Sequence, residues 1–318
     1  MPDNKQPRVV AAEPTALREA AQMLRDGGLV AVPTETVYGL AARADSEMAV
    51  AGIYRAKGRP AFNPLIVHVA DVAAAERLAH FDDRAHVLVA RFWPGSLTLV
   101  LPCRADAGLA AAVTAGLPTV ALRCPAHPVM QALLVQTGLP LAAPSANRSG
   151  AISPSSAAHV AASLGQRVDL ILDGGVCAQG IESTIVVLRA EGGWQVLRPG
   201  PVSAAQIAEV LGENGSAGDT GEASLIEAPG QLASHYAPGK PVRLEAAFAA
   251  SDEFHIGFGP VAGDVTLSAE GDLAEAAARL YACLHSGAAS AKPRIAVAPI
   301  SKSGIGEAIN DRLTRAAY

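Results

Sequence analysis

The sequence predicts an α/β protein with two domains, and three observations support this fold class. Short apolar runs typical of buried strands alternate with segments whose apolar residues recur at helical spacing. The chain has 318 residues, which is long enough for two domains. Residues 212–240 are rich in turn formers and begin with a Gly-, Asn- and Ser-containing stretch typical of a flexible linker. We therefore expect one domain over residues 1–211, a linker over 212–240 and a smaller domain over 241–318.

The helices and strands of the larger domain follow from apolar spacing and from the turn residues between them. A helix is predicted from Pro14 to Arg25, because its apolar residues fall on one face and two glycines follow it. A second helix is predicted from Ser46, a good N-cap, to Gly58. The remaining predicted helices span Asp71–Leu78, Asp82–Phe92, His127–Thr137, Ser155–Leu164 and Ser203–Leu211. The predicted strands span Leu29–Val32, Pro64–Val69, Leu97–Leu101, Thr119–Cys124, Leu170–Asp173, Ser183–Leu188 and Trp194–Arg198, with a strand entering a loop over Leu139–Asn147.

The same alternation predicts a small α/β domain after the linker. Strands are expected near Val242–Leu244, His255–Phe258 and Ile295–Pro299. Helices are expected over Leu273–His285 and Ile305–Ala316. The sequence shows no internal repeat.

Composition and charge argue against several classes of protein. The net charge of −5 and the pI of about 5.9 do not fit a generally basic nucleic-acid binder, and aromatic residues make up only 4% of the chain. The four cysteines form no C-x-x-C pair, so neither a zinc site nor a redox motif is expected. The scattered cysteines predict a reduced, cytoplasmic protein. No signal region is apparent and no apolar run reaches about 20 residues, so no membrane partner is expected.

Polar side chains cluster where predicted strands of the larger domain end. In open α/β sheets ligands collect beyond strand ends, and a triphosphate needs several cations and hydrogen-bond donors around it. The four clusters are Thr34 and Thr36 with Lys57, Arg59, Asn63 and His68; Thr119 with Arg123; Ser145 and Asn147 with Arg148 and Ser153; and Ser183 and Thr184 with Arg198. Together they predict a site for a phosphorylated ligand and a small polar ligand.

Several of these residues also have a purely structural interpretation. Thr34–Thr36 could form a plain turn, and Arg55–Arg59 could be a solvated helix end. His68 could be a core histidine whose hydrogen bonds are made within the protein. Arg123 lies in a strand of Val, Ala and Leu and is costly to bury unpaired. We therefore expect Arg123 to meet an anion, which is either a ligand or an internal Asp or Glu. The sequence has no G-x-x-x-x-G-K-[ST] phosphate loop, and Ser145 is not in a G-x-S-x-G motif.

Taken in order, these segments resemble one family. The stretches that resemble the YrdC-like domain of threonylcarbamoyl-AMP synthase are Pro33–Leu40, the Lys57-x-Arg59 pair, Asn63–His68, Trp93–Gly95, Pro144–Asn147, Glu182–Thr184 and Leu197–Gly200. Ser234–Pro238 and Gly304–Arg312 resemble the two-domain members of that family. Each motif is modest, but the resemblance covers nearly the whole chain in order, so the set is specific.

The resemblance implies a reaction, a fold and a set of partners. It implies a nucleotidyltransferase that makes L-threonylcarbamoyl-AMP and pyrophosphate from L-threonine, bicarbonate or CO2, and ATP, with Mg2+. The product feeds N6-threonylcarbamoyladenosine formation at tRNA position 37. The implied fold is a twisted, open mixed sheet with a concave cavity, a linker that closes over it, and a small Rossmann-like C-terminal domain. The implied partners are these substrates and the downstream tRNA threonylcarbamoyl transferase machinery, with weak RNA binding as a further expectation.

The resemblance also implies roles for individual residues. The catalytic set, which would hold the phosphates and the reacting carboxylate, is Lys57, Arg59, Ser145 and Asn147. The threonine-binding set is Thr34, Thr36, His68, Arg123, Ala143 and Ser183. The ATP site adds Asn63, Thr119, Ser153 and Arg198, with His235 and Tyr236 closing over it from the linker. No metal ligand is assigned.

Other functions fit the sequence less well. An RNA-binding YrdC-like module without catalysis is the main alternative, but the acidic charge and scarce aromatics speak against it. Hydrogenase-maturation proteins contain a similar domain, but they also carry zinc-finger segments, and no paired C-x-x-C motifs occur here. A purely structural α/β protein would leave Arg123 and the four polar clusters unexplained.

Overall fold

A mixed sheet forms the larger of two sheet-based units. The computed structural model describes residues 7–212, 215–217, 227–231 and 235–318, so parts of the predicted linker lie outside the described residues. The strands of the larger sheet are β1 (Val9–Ala11), β2 (Val30–Val32), β3 (Gly39–Arg43), β4 (Ile66–His68), β5 (Leu97–Pro102), β6 (Thr119–Arg123), β7 (Leu141–Ala142), β8 (Leu170–Asp173), β9 (Thr184–Leu188), β10 (Trp194–Arg198) and β11 (Gly215–Ala217).

The strand order confirms the expected open mixed sheet. Across the described residues the order is β1-β8-β2-β3-β7-β4-β6-β5-β9-β10-β11. The pairs β1/β8, β8/β2, β4/β6, β5/β9 and β10/β11 are parallel. The pairs β2/β3, β3/β7, β7/β4, β6/β5 and β9/β10 are antiparallel.

Helices cover the two faces of this sheet unequally. They are α1 (Pro14–Arg25), α2 (Glu47–Lys57), α3 (Val72–Glu76), α4 (Asp83–Phe92), α5 (Ala111–Thr114), α6 (Pro128–Thr137), α7 (Ala157–Leu164) and α8 (Ala204–Leu211). α2, α4, α7 and α8 share one core with sheet residues such as Val67 and Val186. On the opposite face α1 and α6 pack against the β2 and β8 side, including Val30 and Leu172. Among the described residues, no helix packs on the part of this second face that β4, β6, β9 and β10 form, and the candidate site lies there.

The second unit is a small parallel α/β domain, as expected. Its strands are β12 (Val242–Arg243), β13 (Glu253–Gly257), β14 (Val265–Thr266) and β15 (Arg294–Val297), and its helices are α9 (Leu273–Ala289) and α10 (Ile305–Ala317). The strand order is β12-β15-β13-β14, and all three pairings are parallel.

The two units share a hydrophobic core. Val37, Ile152 and Ile181 of the first unit are buried together with residues of α9 and α10, such as Leu280 and Ile309. Because the second unit packs directly against the first, side chains of the second unit can reach the site that the first unit forms.

Most predicted elements are present, usually with shorter strands. α1 has the predicted bounds, and α2 begins after the N-cap Ser46 and ends before Gly58, which has left-handed backbone geometry. Five elements were not predicted from the sequence, because they are short segments with weak periodicity: β1, β3, α5, β11 and β14. Within the part of the chain that the structure describes, every helix is too short or too polar to cross a membrane.

Candidate active site

The candidate site is a cavity over the uncovered part of the larger sheet. It is partly open to solvent, and about 50 Å3 of its interior is space that a water-sized sphere can occupy. Side chains alternate along a strand, so Ala121 and Arg123 of β6 lie on the same face, as do Ile66 and His68 of β4. The apolar floor beside the cavity consists of Ile66, Val100, Ala121, Ile185, Val187 and Leu197, and Ala228 covers it.

Arg123 is held by the hydroxyl-rich turn that follows β2. Its Nη1 donates to Thr36 Oγ1 at 2.9 Å, and its Nη2 donates to Glu35 Oε1 at 2.6 Å. Thr34 Oγ1 lies 2.8 Å from Thr36 Oγ1 and accepts two backbone N–H groups, which fixes the turn. Of the two anions left open by the sequence, the structure shows the internal one, and Glu35 was not among the predicted site residues.

His68 lies next to Arg123 across the β4/β6 pair and is 2% exposed. Its Nδ1 has no hydrogen-bond partner among the described residues. Burial, and then the nearby Arg123, lower the pKa of His68 to about 3. The ring is therefore neutral near pH 7 and offers a ligand a neutral nitrogen rather than a charge.

A β-bulge directs Arg198 into the cavity. Val196 of β10 pairs with Val186, and Arg198 pairs with Ile185. The pairing therefore moves by two residues along β10 but by only one along β9, which defines a bulge. Without the bulge, alternation would place Arg198 on the same face as Val196, beneath the helices. Its guanidinium instead donates to Ser183 O at 3.0 Å and Ser183 Oγ at 3.1 Å.

Lys57 and Arg59, two residues apart, have different surroundings. Arg59 lines the cavity and donates to Asn63 Oδ1 at 2.6 Å. Lys57 is 3% exposed, and its Nζ donates to the carbonyl oxygens of Ser145 and Asn147, each at 2.6 Å. Burial lowers the pKa of Lys57 well below its usual value, with a further contribution from Arg59. The ammonium group thus supports the loop that carries Ser145, and it does not line the cavity.

Glu182 is the main cavity residue that was missing from the predicted set, although it opens one of the family-like motifs. It accepts a hydrogen bond from Ser153 Oγ at 2.5 Å, from Tyr281 in α9 at 2.8 Å and from Arg312 in α10 at 2.9 Å. Burial alone would raise the pKa of Glu182, but Arg312 and then Arg198 bring it down to about 2. The second unit therefore contributes two side chains to a charged residue of the site.

His235 and Tyr236 close one side of the cavity. Their rings are 4.1 Å apart, and the Tyr236 ring also stacks on Tyr281 at 5.6 Å. Tyr236 has φ = 64°, which is unusual for a bulky residue and turns its fully buried side chain inward. Burial raises the pKa of Tyr236 to about 12, and burial lowers that of His235 to about 3. Both are therefore uncharged near pH 7.

The structure brings most, but not all, of the predicted residues to one place. Those that line the cavity are Thr34, Thr36, Arg59, His68, Arg123, Ala143, Ser145, Ser183, Arg198, His235 and Tyr236. Those that lie beside lining residues without lining the cavity are Lys57, Asn63, Asn147 and Ser153. Thr119 begins β6, about 13 Å along the strand from Arg123, and borders a separate depression.

Unpartnered polar atoms around the cavity indicate that it receives a polar ligand. Buried polar atoms in native structures are nearly always hydrogen-bonded. Of the six buried side-chain polar atoms that lack a partner among the described residues, three belong to residues that line the cavity: His68 Nδ1, His235 Nδ1 and the Tyr236 hydroxyl. Arg59 and Arg198 stand at the same cavity, so the ligand that would satisfy these atoms is expected to be anionic.

Two family models match consecutive parts of the chain. The model Sua5_yciO_yrdC, described as telomere recombination, matches residues 22–200. The model of the threonylcarbamoyl-AMP synthase C-terminal domain matches residues 202–318.

Curated proteins and a solved structure agree with these matches. The threonylcarbamoyl-AMP synthase of Bacillus subtilis is 47% identical in an alignment that covers 72% of this chain. That of Pyrococcus abyssi is 45% identical in an alignment that covers 71% of this chain. Each alignment spans 66% of the relative's own length. The crystal structure of P. abyssi Sua5 complexed with L-threonine has a TM-score of 0.87 and 36% identity, covering 98% of this chain and 96% of that one.

Proposed function

This chain belongs to the two-domain threonylcarbamoyl-AMP synthase family, and from that premise we propose that it converts L-threonine, bicarbonate or CO2, and ATP into L-threonylcarbamoyl-AMP and pyrophosphate. We further propose that the product serves the first step of N6-threonylcarbamoyladenosine formation at tRNA position 37, in the cytoplasm. The observation that carries the proposal is that one cavity joins hydroxyl groups, two neutral histidines and three arginines.

The chemistry needs no protein nucleophile. The amine of threonine adds to CO2 and loses a proton, which gives an N-carboxylate. An oxygen of that carboxylate attacks the α-phosphorus of ATP, and the bond to pyrophosphate breaks. The protein's part is to hold the two reactants in line and to stabilise the negative charge on the phosphates. Arg59 and Arg198 are placed to do so from the wall of the cavity.

Threonine would bind at the Arg123 end of the cavity. Thr36, Ser183 and His68 provide hydroxyl and imidazole groups there, and the backbone at Ala143 adds a further contact. Arg123 is already paired with Glu35, so it would act as a neutral ion pair and as the anchor of Thr36. The threonine complex of the P. abyssi relative supports a threonine site in this fold.

ATP would extend from this end along the sheet. The phosphates fit beside Arg59, Arg198 and Ser145, and the base would lie over the apolar floor in the direction of Thr119. In the structure Ala228 covers that floor. The base can therefore enter only when this segment moves. This placement gives Thr119 a role although it lies outside the cavity.

His235 and Tyr236 would exclude water from the reacting groups. A carbamate is labile in water, so closure over it has a chemical purpose. The inward-turned Tyr236 side chain packs on Tyr281, and this packing would hold His235 and Tyr236 over the reacting groups.

Mg2+, which is expected with ATP, has no resident site among the residues that the structure describes. No group of three His, Cys, Asp or Glu side chains comes together there, and Glu35 and Glu182 each already face an arginine. Mg2+ in nucleotide sites is often bound largely through the substrate phosphates. We therefore expect it to arrive as MgATP, and no step of the proposal depends on a protein-bound metal.

The test is pyrophosphate release from ATP with Mg2+, omitting threonine and bicarbonate in turn. We expect release only when both are present, together with a product of the mass of threonylcarbamoyl-AMP. Release without threonine would identify a different acceptor. No release from folded protein, together with salt-sensitive RNA binding, would replace the proposal with the RNA-binding alternative.

A pair of variants makes this test specific to the site. Arg59→Ala removes a cavity cation and is expected to reduce kcat/KM by at least about a hundredfold, a loss typical of transition-state charge stabilisation. Arg55→Ala removes an exposed arginine of α2, four residues before Arg59, and is the matched control. Equal activity of the two variants would contradict the assignment of this cavity.

A further inference from the structure

Glu182 is a charged residue of the first unit that accepts hydrogen bonds from two side chains of the second unit. Arg312 and Tyr281 both donate to its Oε2, at 2.9 and 2.8 Å. Arg312 is fully buried, and its Nη2 also donates to the carbonyl of Pro199, the residue after Arg198.

The charges around the cavity explain why this contact matters. Glu35 is neutralised within its own unit by Arg123, at 2.6 Å. Glu182 lines the cavity beside Arg198, and it pairs across the boundary between the units with Arg312. Arg312 also pairs with Asp311, but Asp311 has a second cation, Arg315, so the positive charge of Arg312 still balances Glu182. An unpaired carboxylate at this place would draw Arg198 to itself and repel an incoming triphosphate. A buried charge that loses its partner has a large effect, because screening by water is weak there.

We propose that Arg312, assisted by Tyr281, is a positioning residue that neutralises Glu182 and so leaves Arg198 and Arg59 free to bind the phosphates of ATP. The proposal rests on the proposed function, because it assumes that ATP occupies this cavity. It gives the second unit a definite task, which is to set the electrostatic potential at the phosphate site.

The experiment separates the charge of Arg312 from its packing. Arg312→Gln removes the charge and is expected to raise the Kd of ATP, measured by calorimetry, and its KM by about tenfold or more. The KM for threonine should change less than about threefold. Arg312→Lys keeps the charge and should bind ATP within about threefold of the unmodified protein. Arg294→Gln breaks an exposed ion pair with Asp252 in the same unit and is the matched control.

A second-site change tests whether Glu182 is the mediator. In the double variant Arg312→Gln, Glu182→Gln the carboxylate is gone, so ATP affinity should return to within about threefold of the unmodified protein. Failure of this restoration would overturn the proposal, and so would an equal loss of ATP affinity in Arg312→Lys and Arg312→Gln.

Two further readouts keep the result interpretable. If Arg312→Gln does not fold, Tyr281→Phe removes only one donor to Glu182 and should weaken ATP binding about threefold; unchanged affinity would then overturn the proposal. If the unmodified protein does not bind ATP at all, the result contradicts the proposed function itself. If it binds ATP normally while Arg312→Gln binds ATP equally well, only the present inference fails.

Discussion

Ser183 has the hydrogen bonds that a threonine-selective site needs. Its Oγ lies 2.7 Å from Thr98 Oγ1 and accepts from Arg198 at 3.1 Å. A hydroxyl group has one donor and two acceptor positions, so with Thr98 as donor the Ser183 hydrogen is free for a ligand. Thr36 is the second candidate for this contact, because its hydroxyl also lines the cavity.

We expect Ser183→Ala or Thr36→Val to weaken selection for the threonine hydroxyl. The loss of one hydrogen bond, about 1 kcal/mol, corresponds to about a fivefold rise in the KM for threonine. The KM for 2-aminobutyrate, which lacks the hydroxyl, should hardly change. Thr15→Val, at an exposed position of α1, is the control. The assignment fails if neither variant alters the ratio of the two KM values.

His68 makes stability depend on pH. Its pKa is about 3 in the folded protein, because of burial and then Arg123, against a usual value of 6.5. Between these values the unfolded chain binds the extra proton, so stability falls as the pH falls from 6.5 towards 3. At pH 5 proton uptake by His68 in the unfolded chain lowers the free energy of unfolding by about 2 kcal/mol.

The measurement is urea unfolding at pH 7 and pH 5. The fall in the free energy of unfolding between the two pH values should be smaller in His68→Gln by about 2 kcal/mol. His80→Gln, at an exposed position, is the control and should retain the full dependence. An identical pH dependence in all three proteins would show that His68 is not buried as a neutral ring.

At this scale the sequence predicted residue types better than their partners. Arg123 was expected to meet an anion because burial of an unpaired guanidinium is costly, and it does. Whether that anion was a ligand or Glu35 depends on how the turn after β2 folds back over β6, which no local pattern encodes. The pairing of Glu182 with Arg312 joins residues 130 positions apart, so it too was beyond local reasoning.

At the scale of elements, the end of α2 supports the loop after β7. The Lys57 ammonium joins the carbonyls of Ser145 and Asn147. The sequence pattern, in contrast, implies that Lys57 contacts phosphate. The two roles differ in what they predict for stability, because only the first leaves buried carbonyls unsatisfied when the ammonium is removed.

We expect Lys57→Met to lower the free energy of unfolding by roughly 1–3 kcal/mol, since two buried carbonyls lose their donor. Activity should fall as well, because the loop that carries Ser145 is released. Arg55→Met, exposed on the same helix, should change stability by less than about 0.5 kcal/mol. Unchanged stability with lost ATP binding would favour direct contact between Lys57 and the phosphates.

Elements with local signals were predictable, and elements defined by pairing were not. Ser46 and Gly58 mark the ends of α2 by capping chemistry that the sequence displays. β3, Gly39–Arg43, consists mostly of small residues with little preference for strands, and its conformation depends on pairing with β2 and β7. The bulge that turns Arg198 into the cavity has no sequence signal that we can identify.

At the scale of the whole molecule, the shared core should couple the unfolding of the two units. Ile181 is fully buried between them. We expect Ile181→Ala to lower stability by about 2–5 kcal/mol and to split one calorimetric transition into two. Val135→Ala, at a position that is 68% exposed, is the control. Two separate transitions in the unmodified protein would contradict this coupling.

The buried apolar residues that the first unit contributes to that core also have a consequence for the evolution of the family. A homologue that consisted of the first unit alone would present Val37, Ile152 and Ile181 to water, where such a patch favours aggregation. We therefore expect one-unit homologues to carry polar or smaller residues at these positions. Once these apolar residues had accumulated, loss of the second unit would have exposed them and would have been selected against. The joining of the two units would then have been hard to reverse in evolution.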